Sequence, residues 1–155
     1  MLPIYDTETS DRTPQALALV EAIRSAHGLL VASPSYHGGI SGMMKNALDY
    51  IEDLALHDPP YLHGRAVGCI AVAYGWQATV STLQQLRQIT HALRGWPTPL
   101  GATINAADTL FAEDGSTSDA AAAEQQRTIG QQVVEFVTMR STLETSSDIT
   151  DIQTS

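Results

Sequence analysis

Ser33-Pro34-Ser35-Tyr36-His37-Gly38-Gly39-Ile40-Ser41-Gly42 joins a short apolar run to an amphipathic helical pattern, and no other stretch restricts the fold as much. The preceding Leu29-Leu30-Val31-Ala32 is the kind of run a parallel strand covered on both faces shows. Pro34 stiffens the exit from that strand, and Gly38 and Gly39 admit backbone conformations and close contacts that a Cβ obstructs. Ser41 is placed to cap a helix in which Met44, Ala47, Leu48, Ile51 and Leu54 or Ala55 recur at three- and four-residue spacing. Strand, loop and helix in that order place a cleft at the carboxyl end of the strand. Main-chain N–H groups and the Tyr36 ring there suit a planar heterocycle with carbonyl and ring-nitrogen acceptors.

The order repeats. Gly64-Arg65-Ala66-Val67-Gly68-Cys69-Ile70-Ala71-Val72-Ala73 reads as a turn feeding an apolar strand, followed by Tyr74-Gly75-Trp76-Gln77 and a long helix from Val80 to Leu93. The inward face of that helix is Leu83, Leu86, Ile89, Thr90 and Leu93. After the Pro97 and Pro99 break, Leu100-Gly101-Ala102-Thr103-Ile104 reads as the next strand. An earlier helix is expected from Thr13-Pro14 to Ala26-His27. A last one is expected from Ser118 to about Arg140, with Ile129, Val133, Phe136 and Val137 inward. Alternating strands and helices define an α/β chain with a parallel sheet. A single domain over 1–140 is expected, with a disordered tail of serine, threonine and acidic residues over 141–155.

Pro34, Tyr36, His37, Gly38, Ile40, Gly42 and the run Lys45-Asn46-Ala47-Leu48-Asp49-Tyr50 resemble, in register, a pattern of the NADPH-dependent FMN reductase family. That pattern is roughly P-x-Y-N/H-G-x-I-P-G-x-x-K-N-A-L-D-W/Y; Ser41 stands here in place of its proline. The resemblance covers about residues 1–140 and implies a flavodoxin-like three-layer sandwich. It also implies FMN as cofactor, NADPH as hydride donor to flavin N5, and a quinone, azo compound or other small-molecule electron acceptor. It nominates Pro34, Ser35, Tyr36, His37, Gly38 and Gly39, and in the second loop Tyr74, Gly75, Trp76 and Gln77, as cofactor-binding residues. A homodimer or homotetramer is implied, with the helix from Ser41 to Leu54 as candidate interface.

The family's opening strand and its G-S-x-R-x-x-S-like phosphate loop have no counterpart in this sequence. Met1-Leu2-Pro3-Ile4-Tyr5-Asp6 instead resembles the segment that follows the family's second strand. The sandwich is therefore expected to be N-terminally truncated. In the 2-1-3-4-5 strand order the absent first strand is the neighbour of Leu29–Ala32, which leaves that strand as an edge. The alternative to a reductase is a non-catalytic flavodoxin-like fragment that acts through assembly with another protein.

A formal charge of −9, from 17 acidic and 8 basic residues, argues against nucleic-acid or anionic-membrane partners. No run is long enough to span a bilayer and the N-terminus lacks signal-peptide character, so a cytoplasmic location is the default expectation. His27, His37, His57, His63 and His91 show no tight ligand spacing, and no metal site is expected. Gly39-Ile40-Ser41-Gly42 is not a nucleophile elbow. Each nominated residue also has a plainer role. Gly38 and Gly39 can serve turn geometry alone, Tyr36 can end a strand, Trp76 can fill a subunit contact, and Cys69 reads as a small buried hydrophobe.

Overall fold

A computed structural model describes the backbone of residues 2–153 and the side chains of residues 2–143. Thr13 caps helix α1 (Pro14–Ser25), its side chain accepting from Ala16 N–H, with Pro14 in the first turn where no N–H is needed. Strand β1 (Gly28–Tyr36) folds back into β2 (Gly39–Ile40). Ser41 Oγ accepts from Met44 N–H at 3.1 Å and opens α2 (Gly42–Asp49), which tightens into a 3-10 helix over Tyr50–Leu54. Strand β3 (Ala66–Ala73), α3 (Trp76–Ala92), β4 (Trp96–Pro97), β5 (Ala102–Asn105) and α4 (Ala120–Gln153) complete the chain.

The sheet runs β2-β1-β3, with β4 beside the start of β3 and β5 beside its end. β1 and β3 pair in parallel from Gly28↔Ala66 to Pro34↔Val72. Side chains alternate across this pair, so Leu29, Val31, Val67 and Cys69 face one layer. There they meet Val20 and Ile23 of α1, Met44 and Leu48 of α2, Ile51 and Leu54 of the 3-10 helix, and Leu86 of α3. On the other face, α4 brings Ile129 and Val133 onto Gly68, where an added Cβ would stand 2.3 Å from Ile129 Cγ2. Helices on both faces of a mainly parallel sheet make this a flavodoxin-like three-layer sandwich.

β1 departs from expectation. It is not covered on both faces: Leu30, Ala32, Pro34 and Tyr36 are exposed, because α4 lies chiefly over β3 and β5. Among the described residues, the edge of β1 away from β3 is paired only at Ser35 and Tyr36, by β2. The Pro97 break contains a two-residue strand, since Trp96 and Pro97 align with Ala66 and Val67. α4 continues to Gln153, past the Arg140 at which apolar periodicity stops. Of the expected tail over 141–155, the backbone to Gln153 is helical. The side chains beyond residue 143 and the last two residues lie outside the described residues.

The opening residues form an extended strap over α2 and the 3-10 helix. Asn46 accepts from Tyr5 N–H at 2.7 Å and donates to Pro3 O at 2.7 Å. Arg12 closes the strap with two bonds to Asp53, and its guanidinium lies 4.7 Å from the Tyr5 ring centre. Among the described residues, no helix is long and apolar enough to cross a membrane.

Candidate functional site

The loop of the sequence pattern is a two-residue turn. Tyr36 pairs with Gly39 and Ser35 with Ile40, so β1 turns at His37 and Gly38, both left-handed, with φ of 55° and 80°. Two successive left-handed residues make a type I′-like hairpin turn, which follows the twist of the strands it joins. The second position explains Gly38: its added Cβ would meet only Ser81 Oγ, at 3.7 Å, so conformation rather than space excludes larger residues. Gly39 answers a different need, because a Cβ there would sit 3.2 Å from Gln85 Oε1.

Helix α3 holds this hairpin through a polar stripe. Ser81 Oγ and Gln85 Nε2 donate to Gly38 O at 3.0 and 3.1 Å, and Gln85 Oε1 accepts from Ile40 N–H at 3.3 Å. Thr82 Oγ1 donates to Ser35 Oγ at 2.7 Å, and Ser35 Oγ donates to Ala78 O at 3.3 Å. Ala78, Ser81, Thr82 and Gln85 follow three- and four-residue spacing, which puts them on one face of the helix.

Between the hairpin and the start of α3 lies a cleft of about 440 Å3, lined by His37, Gly38, Gly75, Gln77, Ala78 and Ser81. Gly75 is the N-cap and supplies no side-chain oxygen. The first helical bond runs from Thr79 N–H to Gly75 O at 3.2 Å, so the N–H groups of Trp76, Gln77 and Ala78 precede the intrahelical ladder. Of these, Gln77 and Ala78 line the cleft, at the positive end of a 17-residue helix, and their donors suit carbonyl or ring-nitrogen acceptors.

Of the ten residues nominated from sequence, His37, Gly38, Gly75 and Gln77 line this cleft. Pro34, Ser35 and Gly39 build the hairpin instead. Tyr36, Tyr74 and Trp76 stand at the same end of the sheet with 63%, 87% and 56% of their surface exposed, outside the cleft lining. The second loop is shorter than expected, because Trp76 and Gln77 already belong to the first turn of α3. Ala78 and Ser81 of the lining, and Thr82 and Gln85 behind it, were not singled out. The polar spacing of Ser81, Thr82 and Gln85 was present in the sequence but sat among apolar core positions of the same helix.

A third segment ends at this edge of the sheet. Ala106 N–H bonds Ala73 O at 2.8 Å, and Asn105 Nδ2 donates to Asp108 Oδ2 at 2.7 Å. Asp119 accepts from Thr109 Oγ1 and from Ala121 and Ala122 N–H, which holds its carboxyl below the usual range and caps α4.

The decisive comparison is with family models, where residues 1–109 match the NADPH-dependent FMN reductase model. The chain belongs to the NADPH-dependent FMN reductase family. An FMN-dependent NADPH-azoreductase of Staphylococcus aureus (strain USA300) is 31% identical over 121 residues, covering 77% of this chain and 61% of that protein. An NADPH azoreductase of Bacillus sp. (strain OY1-2) is 31% identical over 86 residues, covering 55% and 45%. The chain thus spans about half to three fifths of the length of these relatives. In fold it is similar to FerB, a flavoenzyme NAD(P)H:(acceptor) oxidoreductase from Paracoccus denitrificans. That match has a TM-score of 0.70 and 21% identity, over 89% of this chain and 76% of that one.

The residues of this family member fit the ring end of FMN: an open cleft, main-chain donors on one wall and exposed aromatic side chains beside it. For the phosphate end, no G-S-x-R-x-x-S-like loop occurs in the sequence.

Proposed function

We propose that this chain forms the flavin-ring site of an NADPH-dependent FMN oxidoreductase that reduces a small-molecule acceptor of the quinone or azo class. The observation that carries this reading is the cleft between the His37-Gly38 turn and the N-terminus of α3, in a chain of the FMN reductase family. Bound FMN supplies the hydride-accepting ring. The N–H groups of Gln77 and Ala78 would orient it by its acceptor atoms and favour negative charge gathering there. Tyr36, Tyr74 and Trp76 offer faces for stacking and for keeping water from the reacting edge. Two azoreductases among the relatives support the azo class of acceptor.

Assembly as a homodimer or homotetramer belongs to the same proposal. Met43 is an exposed apolar side chain of α2 open to a second copy, whereas Pro3, Tyr5 and Arg12 already engage Asn46, Tyr50 and Asp53.

The test is NADPH consumption by the purified chain with FMN and an azo dye, against a chain-free control. FMN-dependent turnover supports the reading. A folded chain that holds FMN but consumes no NADPH removes the reductase and leaves a flavin-binding module.

A further inference from the structure

The opposite end of the sheet holds a second cavity, polar and of about 260 Å3, whose lining includes Arg24, His27, His63, Gly64, Arg65 and Arg140. Three parts of the chain meet there: the end of α1, the turn that leads into β3, and α4. The whole chain has only 8 lysines and arginines against 17 acidic residues, yet three arginines line this one cavity.

Arg24 is neutralised by Glu21 through two bonds of 2.7 Å. Arg65 is not. It is half-buried, and its described bonds run to neutral oxygens, from Nη1 to Tyr61 O at 2.8 Å and from Nη2 to Arg24 O at 2.9 Å. Among the described residues no carboxylate forms an ion pair with it. Burial, and then the Arg24 charge, press its pKa below the ordinary arginine value. Those two carbonyl bonds use two of five N–H donors and fix the plane of the fork. Arg140 is brought in by the backbone: Gly64 has φ 75°, and a Cβ there would stand 2.8 Å from Arg140 Cζ. The left-handed φ is what favours glycine here, because the end of the Arg140 side chain can move aside.

We propose that this cavity binds a phosphate group, carried either by inorganic phosphate or by a small phosphate monoester. A tetrahedral dianion matches a guanidinium fork in shape and supplies the charge that Arg65 lacks. The volume suits a phosphate with a small organic group rather than a dinucleotide. The site is separate from the flavin cleft. β1 runs nine residues between the two ends of the sheet, about 25 Å at roughly 3.3 Å per residue.

The experiment is calorimetric titration of the full 155-residue chain with inorganic phosphate, and in parallel with phenyl phosphate, in a phosphate-free buffer. Saturable binding is expected, weakened about tenfold or more in Arg65→Gln and less in Arg140→Gln, and weakened by added salt. Tighter binding of phenyl phosphate assigns the site to monoesters, and the reverse order assigns it to the free ion. If Arg65→Gln does not fold, Arg140→Gln on the α4 surface carries the comparison. No saturable heat with the folded wild-type chain overturns the proposal, and so does wild-type affinity in the folded variants.

Discussion

Gln85 Nε2 donates to the Gly38 carbonyl at 3.1 Å, and the same side chain accepts from Ile40 N–H at 3.3 Å. One amide from α3 therefore bonds both sides of the β1–β2 turn. Gln85→Leu keeps the helical propensity and removes both bonds, leaving Ser81 alone on Gly38. We expect a loss of about 1–2 kcal/mol by chemical denaturation and faster amide exchange at Gly39 and Ile40. Unchanged exchange would show that the hairpin holds its shape without α3.

Gly38 separates conformation from contact. At φ 80° with open space around its absent Cβ, it should accept asparagine far better than valine. Gly38→Asn is expected to melt close to wild type, whereas Gly38→Val should lose about 1–2 kcal/mol through backbone strain alone. Equal melting temperatures for the two would mean that the turn changes type on substitution.

The strap makes a pH-dependent contribution. Arg12 Nε and Nη2 reach the Asp53 carboxylate at 2.8 and 2.7 Å; this pairing, and next the Tyr5 hydroxyl, hold the Asp53 pKa below its ordinary value against the opposing effect of burial. A carboxyl depressed on folding stabilises the fold above its unfolded pKa, near 4, and loses that contribution as pH falls through the folded value. Denaturation midpoints of wild type should fall below about pH 4 more steeply than those of Asp53→Asn. The variant should be less stable at neutral pH by about 1–2 kcal/mol. Parallel pH profiles would mean the pair adds nothing to stability.

Much of this fold could be read from local patterns. The β3 apolar run, the Ser41 cap and the Met44-Leu48-Ile51 stripe each follow from a few adjacent residues and lie as the pattern predicts, and the β1 run forms its strand although one face of it stays open. What escaped depends on distant parts of the chain. Leu30 looks like a core residue by type, yet it is 58% exposed because α4 lies chiefly over β3 and β5. The sequence marked Tyr36, Tyr74 and Trp76 as aromatic, but only the fold shows them on the rim rather than in the cleft lining. Ser81 and Gln85 gain meaning only when the hairpin lands beside them, 43 and 47 residues from Gly38. Helix ends moved by a few residues where no cap was written: Gly75 offers no side chain to mark the start of α3.

The most direct test of the account fills the cleft without disturbing its frame. Ala78 lines it from the first turn of α3, where leucine is a good helix former. Titrating FMN into wild type and Ala78→Leu, followed by flavin fluorescence, should show saturable binding at about one flavin per chain for wild type. The variant's affinity should be at least about tenfold weaker, or roughly 1.4 kcal/mol, with an unchanged circular dichroism spectrum. Equal affinity in the two folded proteins, or no saturable binding by wild type, would contradict the placement of the flavin ring between the His37-Gly38 turn and α3.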